Sequence, residues 1–402
     1  MNRRKHFLTL LVALAAGKAD MAQIKMPRLV SDGMVLQRDA PLRIWGWAGP
    51  GEKVTVKFDG ETASGEADSR GKWVVVLSPK KAGGPYAMDI NGINHVWLRN
   101  IMVGDVWVCT GQSGMALSIG QLKEKYADVI SRSENASIRQ FKAPLRYDSS
   151  GPRDNISGGK WETAGPGTVP GFSSLAYFFA KEINERYHVP VGLITVAEST
   201  DEAWLSADGS RAFPDALFNG MIAPLTDCTI KGVVWYQGEA NVSQAAEYAI
   251  SFQAVINDWR ARWKQPKLPF LFVQLTKNGE GYTALQEAQR KTFMSVPKTG
   301  MAVTMDISEY SDIAKRLALS AEHVAYDKGN MIWTGPLYHS MKVKDNRVHV
   351  TFTEVENGLI VKGGGELKGF AVAGADNHFV PAKATIEGKN EVVVWSDEVP
   401  NP

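Results

Sequence analysis

A glycine-flanked serine at the end of an apolar run, Gly111-Gln112-Ser113-Gly114-Met115, is the position where this chain presents a nucleophile most plainly. The run before it, residues 106–109, reads as a buried strand, and in α/β sheets reactive groups gather at the carboxyl ends of strands. A serine hydroxyl attacks an ester only when a base takes its proton and fixed donors hold the oxyanion that develops. The turn is not the nucleophile elbow of α/β-hydrolases, which needs glycine two places after the serine, where this chain has Met115. On spacing alone, a purely structural turn is an equal reading.

A second polar group follows another apolar run: Trp235-Tyr236-Gln237-Gly238-Glu239-Ala240-Asn241. A carboxylate, two amides and an aromatic pair at a strand end suit oxyanion donation and sugar contact. A polar cap on the next helix, with Asn241 or Ser243 as N-cap, explains the same residues equally well. No group of His, Cys, Asp and Glu has metal-ligand spacing, and Gly363-Gly364-Gly365 between two β runs reads as a turn, so neither metal nor other cofactor is expected.

The elements that must position these groups alternate from residue 105 onward. Apolar runs at 106–109, 191–196, 230–235, 270–275 and 301–305 are separated by amphipathic helices, one marked by Leu175, Phe179, Ile183 and Tyr187, another by Tyr248, Phe252, Val255, Ile256, Trp259 and Trp263. That alternation predicts a mostly parallel sheet covered on both faces, a three-layer α/β core over residues 104–332. Residues 23–103 carry short alternating runs broken by Gly, Pro and Asp and predict an antiparallel β-sandwich; similar runs return over 333–402 as a second β region. Residues 1–22 begin with Arg3-Arg4-Lys5 and continue apolar to Gly17, the pattern of a secretory signal peptide, so export to the periplasm or the extracellular space is expected. The apolar run falls short of the roughly 20 residues of a spanning helix, and no later segment reaches that length.

The 402 residues hold 45 basic and 43 acidic side chains, a formal charge of +2, which offers no field for a polyanion and excludes nucleic acid as an expected partner. Cys109 and Cys228 leave pairing and simple burial both open.

Together the two motifs resemble the sialate O-acetylesterase family, the SASA branch of the SGNH hydrolases, whose members carry Gly-Gln-Ser-Asn-Met and Trp-Tyr-Gln-Gly-Glu-Ser-Asn. The likeness extends to Phe218-Asn219-Gly220-Met221-Ile222-Ala223-Pro224-Leu225 and Gly335-Pro336-Leu337-Tyr338. The resemblance implies an SGNH-hydrolase (flavodoxin-like) core that hydrolyses acetyl esters on sugars through a serine, a histidine base and an acidic partner. Carried over by residue, it makes Ser113 the nucleophile, Asn241 the amide donor to the oxyanion and Asp312 the acid. Glu239 orients a base or binds substrate, and Gln112, Gln237 and Tyr236 are substrate contacts.

This chain departs from the family pattern at several points. Where members show Asp-Ile-His-Pro, it reads Asp312-Ile313-Ala314-Lys315, so Asp312 has no histidine to orient. A Gly-Gly pair expected before Glu-Ala-Trp is absent from Ala197-Glu198-Ser199-Thr200-Asp201-Glu202-Ala203-Trp204, and Gly114 stands where asparagine follows the serine. The last β region stops short of a closing strand, which predicts an unpaired edge. His323 lies nine positions beyond Ala314, about 13 Å along a helix and out of reach of the serine. Expected, then, is a sugar O-acetylesterase; the alternative is a pseudoenzyme that keeps a sugar-binding cleft, with Trp204, Trp235 and Tyr236 as stacking candidates.

Overall fold

Strand β1 (His95–Gly111) belongs to two parts of the molecule at once. Its first half pairs antiparallel with Gly83–Asn91 and parallel with Val35–Gln37, while its second half, from Asp105, lies between two parallel strands of a central sheet. The computed structural model describes residues 23–197, 215–276, 279, 281–329 and 331–402. The expected signal segment 1–22 and Trp204 lie outside the described residues.

The other strands of the central sheet are β2 (Asn135–Lys142), β3 (Trp161–Ala164), β4 (Val191–Ala197), β5 (Gly232–Tyr236), β6 (Phe270–Val273) and β7 (Thr299–Ala302). Their spatial order is β3-β2-β4-β1-β5-β6-β7, parallel except for β3 at one edge. Val106, Trp107, Val108 and Cys109 of β1 are wholly buried, because a parallel strand covered on both faces has no solvent side. Helices α1 (Ser113–Ala116), α2 (Ser174–Tyr187), α3 (Ala245–Arg262), α4 (Tyr282–Ser295) and α5 (Tyr310–Val324) complete the core. On one face α2 and α5 bury Leu175, Phe179, Ile183, Leu317 and Ala321; on the other α3 and α4 bury Phe252, Ile256, Leu285 and Ala288. The three-layer α/β core is therefore present, and the five expected strands occur with shifted ends.

From β1 the chain runs to β2 on one side of the sheet, and from β5 it runs to β6 on the other. The crevice of such a sheet opens at this reversal, outside the carboxyl ends of β1 and β5. The serine turn follows β1 and the second polar group follows β5, so topology alone brings the two together.

Flanking sheets are present on both sides of the core. In the N-terminal part, Leu42–Trp47 pairs with Lys72–Leu77, and Lys53–Phe58 pairs with Glu61–Glu66 and Gly83–Asn91. These strands bury Ile44, Trp45, Val56, Trp73 and Ile90 in the same apolar cluster as the first half of β1. In the C-terminal part, Leu337–Lys344, Arg347–Thr353, Glu391–Trp395 and Lys383–Glu387 form an antiparallel sheet in that order, over a small core of Ala384, Val392 and Val394. Cys109 and Cys228 are buried free thiols in different apolar clusters. Among the described residues no helix is long and apolar enough to cross a membrane.

Candidate active site

The serine turn is clasped directly to the loop after β5. Gly111 pairs with Tyr236 in register and has φ +143°; a Cβ there would lie 2.0 Å from the Tyr236 carbonyl oxygen, so only glycine fits. Gln112, 5 % exposed, donates its backbone N–H to the Tyr236 carbonyl at 2.9 Å and accepts the Gly238 N–H on Oε1 at 3.4 Å. Ser113 opens α1, whose Met115 and Ala116 N–H groups both donate to the Gln112 carbonyl, and the Ser173 hydroxyl donates to the Met115 carbonyl at 2.6 Å. At Gly114 an added Cβ would stand 2.4 Å from the Tyr236 ring. The half-buried Tyr236 thus packs over the place a side chain at 114 would fill.

In the loop after β5, Gln237 Nε2 donates to Asn241 Oδ1 at 2.6 Å, which leaves the Asn241 –NH₂ as the donor end of that amide. Neither Asn241 nor Ser243 caps α3: residues Glu239–Gln244 form a 3-10 turn, and Gln244 precedes the helix without a side-chain cap. Burial, with the Glu239 carboxylate adding to it, pushes up the phenols of Tyr236, Tyr248 and Tyr310. Glu239 itself opens the 3-10 turn that follows β5, beside Gln237 and Asn241.

Sequence reasoning missed Gln289, a wholly buried amide on the apolar face of α4. Its Oε1 accepts the Leu275 N–H at 3.1 Å, and its Nε2 donates to the Val273 carbonyl at 3.3 Å and the Gln237 carbonyl at 3.5 Å. The available signal was a glutamine between Leu285, Ala288, Thr292 and Phe293 on a face where apolar residues are due. Gln289→Leu orphans a buried N–H and carbonyl and is expected to lower stability by about 1–3 kcal/mol in urea unfolding; a loss under about 0.5 kcal/mol would show those bonds to be replaceable.

Asp312 lies in the first turn of α5, 43 % exposed, paired with Lys315 at 3.2 Å. Beside it Glu309 accepts from Lys125 Nζ at 2.6 Å and the Tyr126 hydroxyl at 3.2 Å. Burial, then the Glu309 and Asp312 carboxylates, push the Tyr126 phenol up to about 12. No imidazole joins this rim among the described residues. His323 occupies the opposite end of α5, its ring stacked on Trp333 at 4.1 Å. His95 pairs with Asp89, His188 ends α2 with φ +52°, and His349 bonds Glu391 at 2.7 Å on the C-terminal sheet. His339 lies on the edge strand of that sheet and His378 in an exposed loop beyond it. Ala314, where the family pattern puts the base, is wholly buried on the core face of α5.

A cavity of about 300 Å³ is lined by the ends of β1, β4 and β5, by α3 and by Leu217, Phe218, Met221 and Ile222. Gln112, Gln237 and Asn241 line it at the strand ends; Trp235, Phe252, Val255 and Trp259 line it further in. Tyr236 is not among its lining residues, whereas Trp235 is.

Residues 103–323 match the family described as carbohydrate esterase, sialic acid-specific acetylesterase. A carbohydrate acetylesterase from Xanthomonas citri has the same architecture, with TM-score 0.88 and 36% identity over 94% of this chain and 93% of that one. The sialate O-acetylesterase of Homo sapiens is 28% identical over 399 residues, covering 82% of this chain and 76% of the human protein. That of Mus musculus is 27% identical over 426 residues, covering 82% and 79%. The clasped serine turn and amide loop thus lie within the matched region, and the chain belongs to the carbohydrate esterase family of sialic acid-specific acetylesterases.

Proposed function

We propose that this protein removes O-acetyl groups from sugars, sialate or plant-glycan acetyl esters, with Ser113 as nucleophile and Asn241 as an oxyanion donor. The observation that carries this reading is the clasp at the sheet's switch point, in which Gln112 bonds both Tyr236 and Gly238 and brings the serine turn against the Gln237–Asn241 amide pair. In the reaction, Ser113 Oγ bonds to the acetyl carbonyl carbon and the sugar oxygen departs with a proton. Water then cleaves the acetyl-serine, restores the hydroxyl and releases acetate. The Asn241 –NH₂ serves the oxyanion in both steps, and Glu239 and Asp312 are the carboxylates of the rim. Since no imidazole stands beside them among the described residues, proton transfer falls to a weaker base and turnover is slow. Export through residues 1–22 belongs to the same proposal, on the strength of their basic-then-apolar pattern.

Acetate release from O-acetylated sialic acid and acetylated xylo-oligosaccharides tests the reading. The unaltered protein is expected to exceed Ser113→Ala on at least one of them. Equal inertness of the two would remove the claim of hydrolysis, and saturable sugar binding without turnover would then favour a cleft that only binds.

A further inference from the structure

We infer that the outer face of the N-terminal sheet around Trp97 is a second sugar-binding surface, which holds a neutral glycan chain of equatorially substituted pyranose rings. Binding there is independent of the hydrolytic reading of Ser113. Trp97 lies in the first half of β1 and is 54 % exposed, the one tryptophan among the described residues turned so far to solvent. The opposite face of the same sheet buries Val56, Phe58, Met88 and Ile90. Strand register puts Trp97 at the end of a row across four strands, Thr62–Lys57–Asp89–Trp97, and beside that row runs Ser64–Thr55–Asn91–His95. Neighbouring strands lie about 4.8 Å apart, so each row is about 14 Å long and has room for more than one sugar ring.

The first row belongs to a cleft of about 480 Å³, lined also by the turn at residues 58–61 and by Ala87 and Met88. That volume is within the range of small-molecule sites. Its polar groups are held in place: Asp89 Oδ1 accepts from Asn91 Nδ2 at 2.9 Å and is bonded by His95 Nε2, which leaves Oδ2 as an acceptor. Lys57, directly opposite Asp89 in register, makes no ion pair among the described residues, so its ammonium is an available donor. A pyranose with equatorial hydroxyls has a face of axial C–H groups that lies on an indole, and a rim of hydroxyls that both donate and accept. One ring and fixed polar groups suit that ligand; an apolar side chain would find no enclosed pocket here.

Charge selects among sugars. Asp59 and Glu61 share Lys80, at 3.3 and 3.8 Å, and Asp89 stands across from Lys57. Carboxylates outnumber ammonium groups around the cleft, so a uronate or sialate is repelled where a neutral ring is not. Position separates this surface from the crevice. Fourteen residues of one strand lie between Trp97 and Gly111, up to about 46 Å at 3.3 Å per residue. No single sugar ring touches both, and a chain held at Trp97 raises the local concentration of its other rings near the crevice.

The test is titration of the unaltered protein with xylohexaose and cellohexaose, which carry no acetyl group and report binding alone. Saturable binding of at least one is expected. Trp97→Ala should weaken it by about tenfold or more, as loss of an aromatic anchor does, and Trp97→Phe, which keeps a ring, should lose less. Should Trp97→Ala fail to fold, Lys57→Ala, at an exposed position, should weaken binding by about two- to fivefold through one lost hydrogen bond. Hexagalacturonate should show no Trp97-dependent binding. Absence of saturable binding to both hexaoses would overturn the inference. Equal affinity of the unaltered protein and Trp97→Ala would also overturn it, since the sugar would then sit elsewhere, and Trp97-dependent binding of hexagalacturonate as tight as that of the hexaoses would overturn the choice of a neutral chain. Neither hexaose can be deacetylated, so a protein inert in the acetate-release assay can pass this test and an active one can fail it.

Discussion

Free imidazole is expected to accelerate acetyl-ester hydrolysis by the unaltered protein by about 10- to 100-fold, and to leave Ser113→Ala at background. A positioned general base contributes on the order of 10² to 10⁴ in rate, and an untethered one forfeits part of that for want of fixed proximity. In a Ser-His-Asp unit, loss of the histidine lowers turnover by about 10⁶ and leaves about 10³ to 10⁴ over water from donors and binding alone. The proposed reading puts this chain in that residual state. Ala314 is wholly buried on α5, and His323 is stacked on Trp333 at the far end of the same helix. A second signature accompanies the first: without imidazole, kcat/KM should rise with pH with no inflection near about 6.5, where a histidine base ordinarily titrates. An inflection there in the absence of imidazole, or no acceleration by imidazole, would show that another base already serves Ser113.

The adjacency of the two motifs was legible because each ends a buried strand, and neighbouring parallel strands present their carboxyl ends together. The proposed place of Asp312 beside them was not legible from pattern. Asp312 opens a helix, and only the family resemblance tied that helix to the serine. β2 escaped notice for a different reason: its buried residues include Arg139 and Gln140. They are tolerated because Arg139 donates to the Gly33 carbonyl and Asn100 Oδ1 at 2.8 Å each, while Gln140 Oε1 accepts from the Ser173 N–H and the Thr195 hydroxyl. Hydropathy sees the polar atoms and not their distant partners. Only the second half of β1, residues 106–109, stood out in the sequence as a buried strand, because Arg99 and Asn100 interrupt its apolar run, and Asn100 takes φ +56° there. The cavity has no sequence signature at all, since its walls are drawn from residues 110 to 259.

Asp105→Ala should cost about 3–5 kcal/mol and lower the melting temperature by roughly 6–20 °C. Asp105 is wholly buried in the middle of β1, where that strand passes from the N-terminal sheets to the core. Arg38 meets it with two bonds, Nε to Oδ1 at 2.9 Å and Nη2 to Oδ2 at 3.0 Å, and the Tyr326 hydroxyl donates to Oδ2 at 2.8 Å. The Tyr326 ring stacks on Tyr187 at 4.1 Å and carries Lys231 Nζ at 4.4 Å from its centroid. Deleting the carboxylate leaves the Arg38 guanidinium with only the exposed Asp39, at 3.2 Å, as its paired carboxylate among the described residues and leaves Lys231 without its buried acidic neighbour, and the loss of a partner, rather than the worth of the pair, sets the size of the effect. The double variant Arg38→Leu/Asp105→Leu should therefore recover a large part of the loss, whereas a purely steric role for Asp105 would make the two changes add. Because Asp105 begins the paired segment whose other end is Gly111, the clamp and the crevice lie at opposite ends of the central sheet. At a temperature where Asp105→Ala remains folded, its ester hydrolysis should match the parent's; a comparable loss of activity in the folded variant would mean that the clamp also sets the geometry of the serine turn.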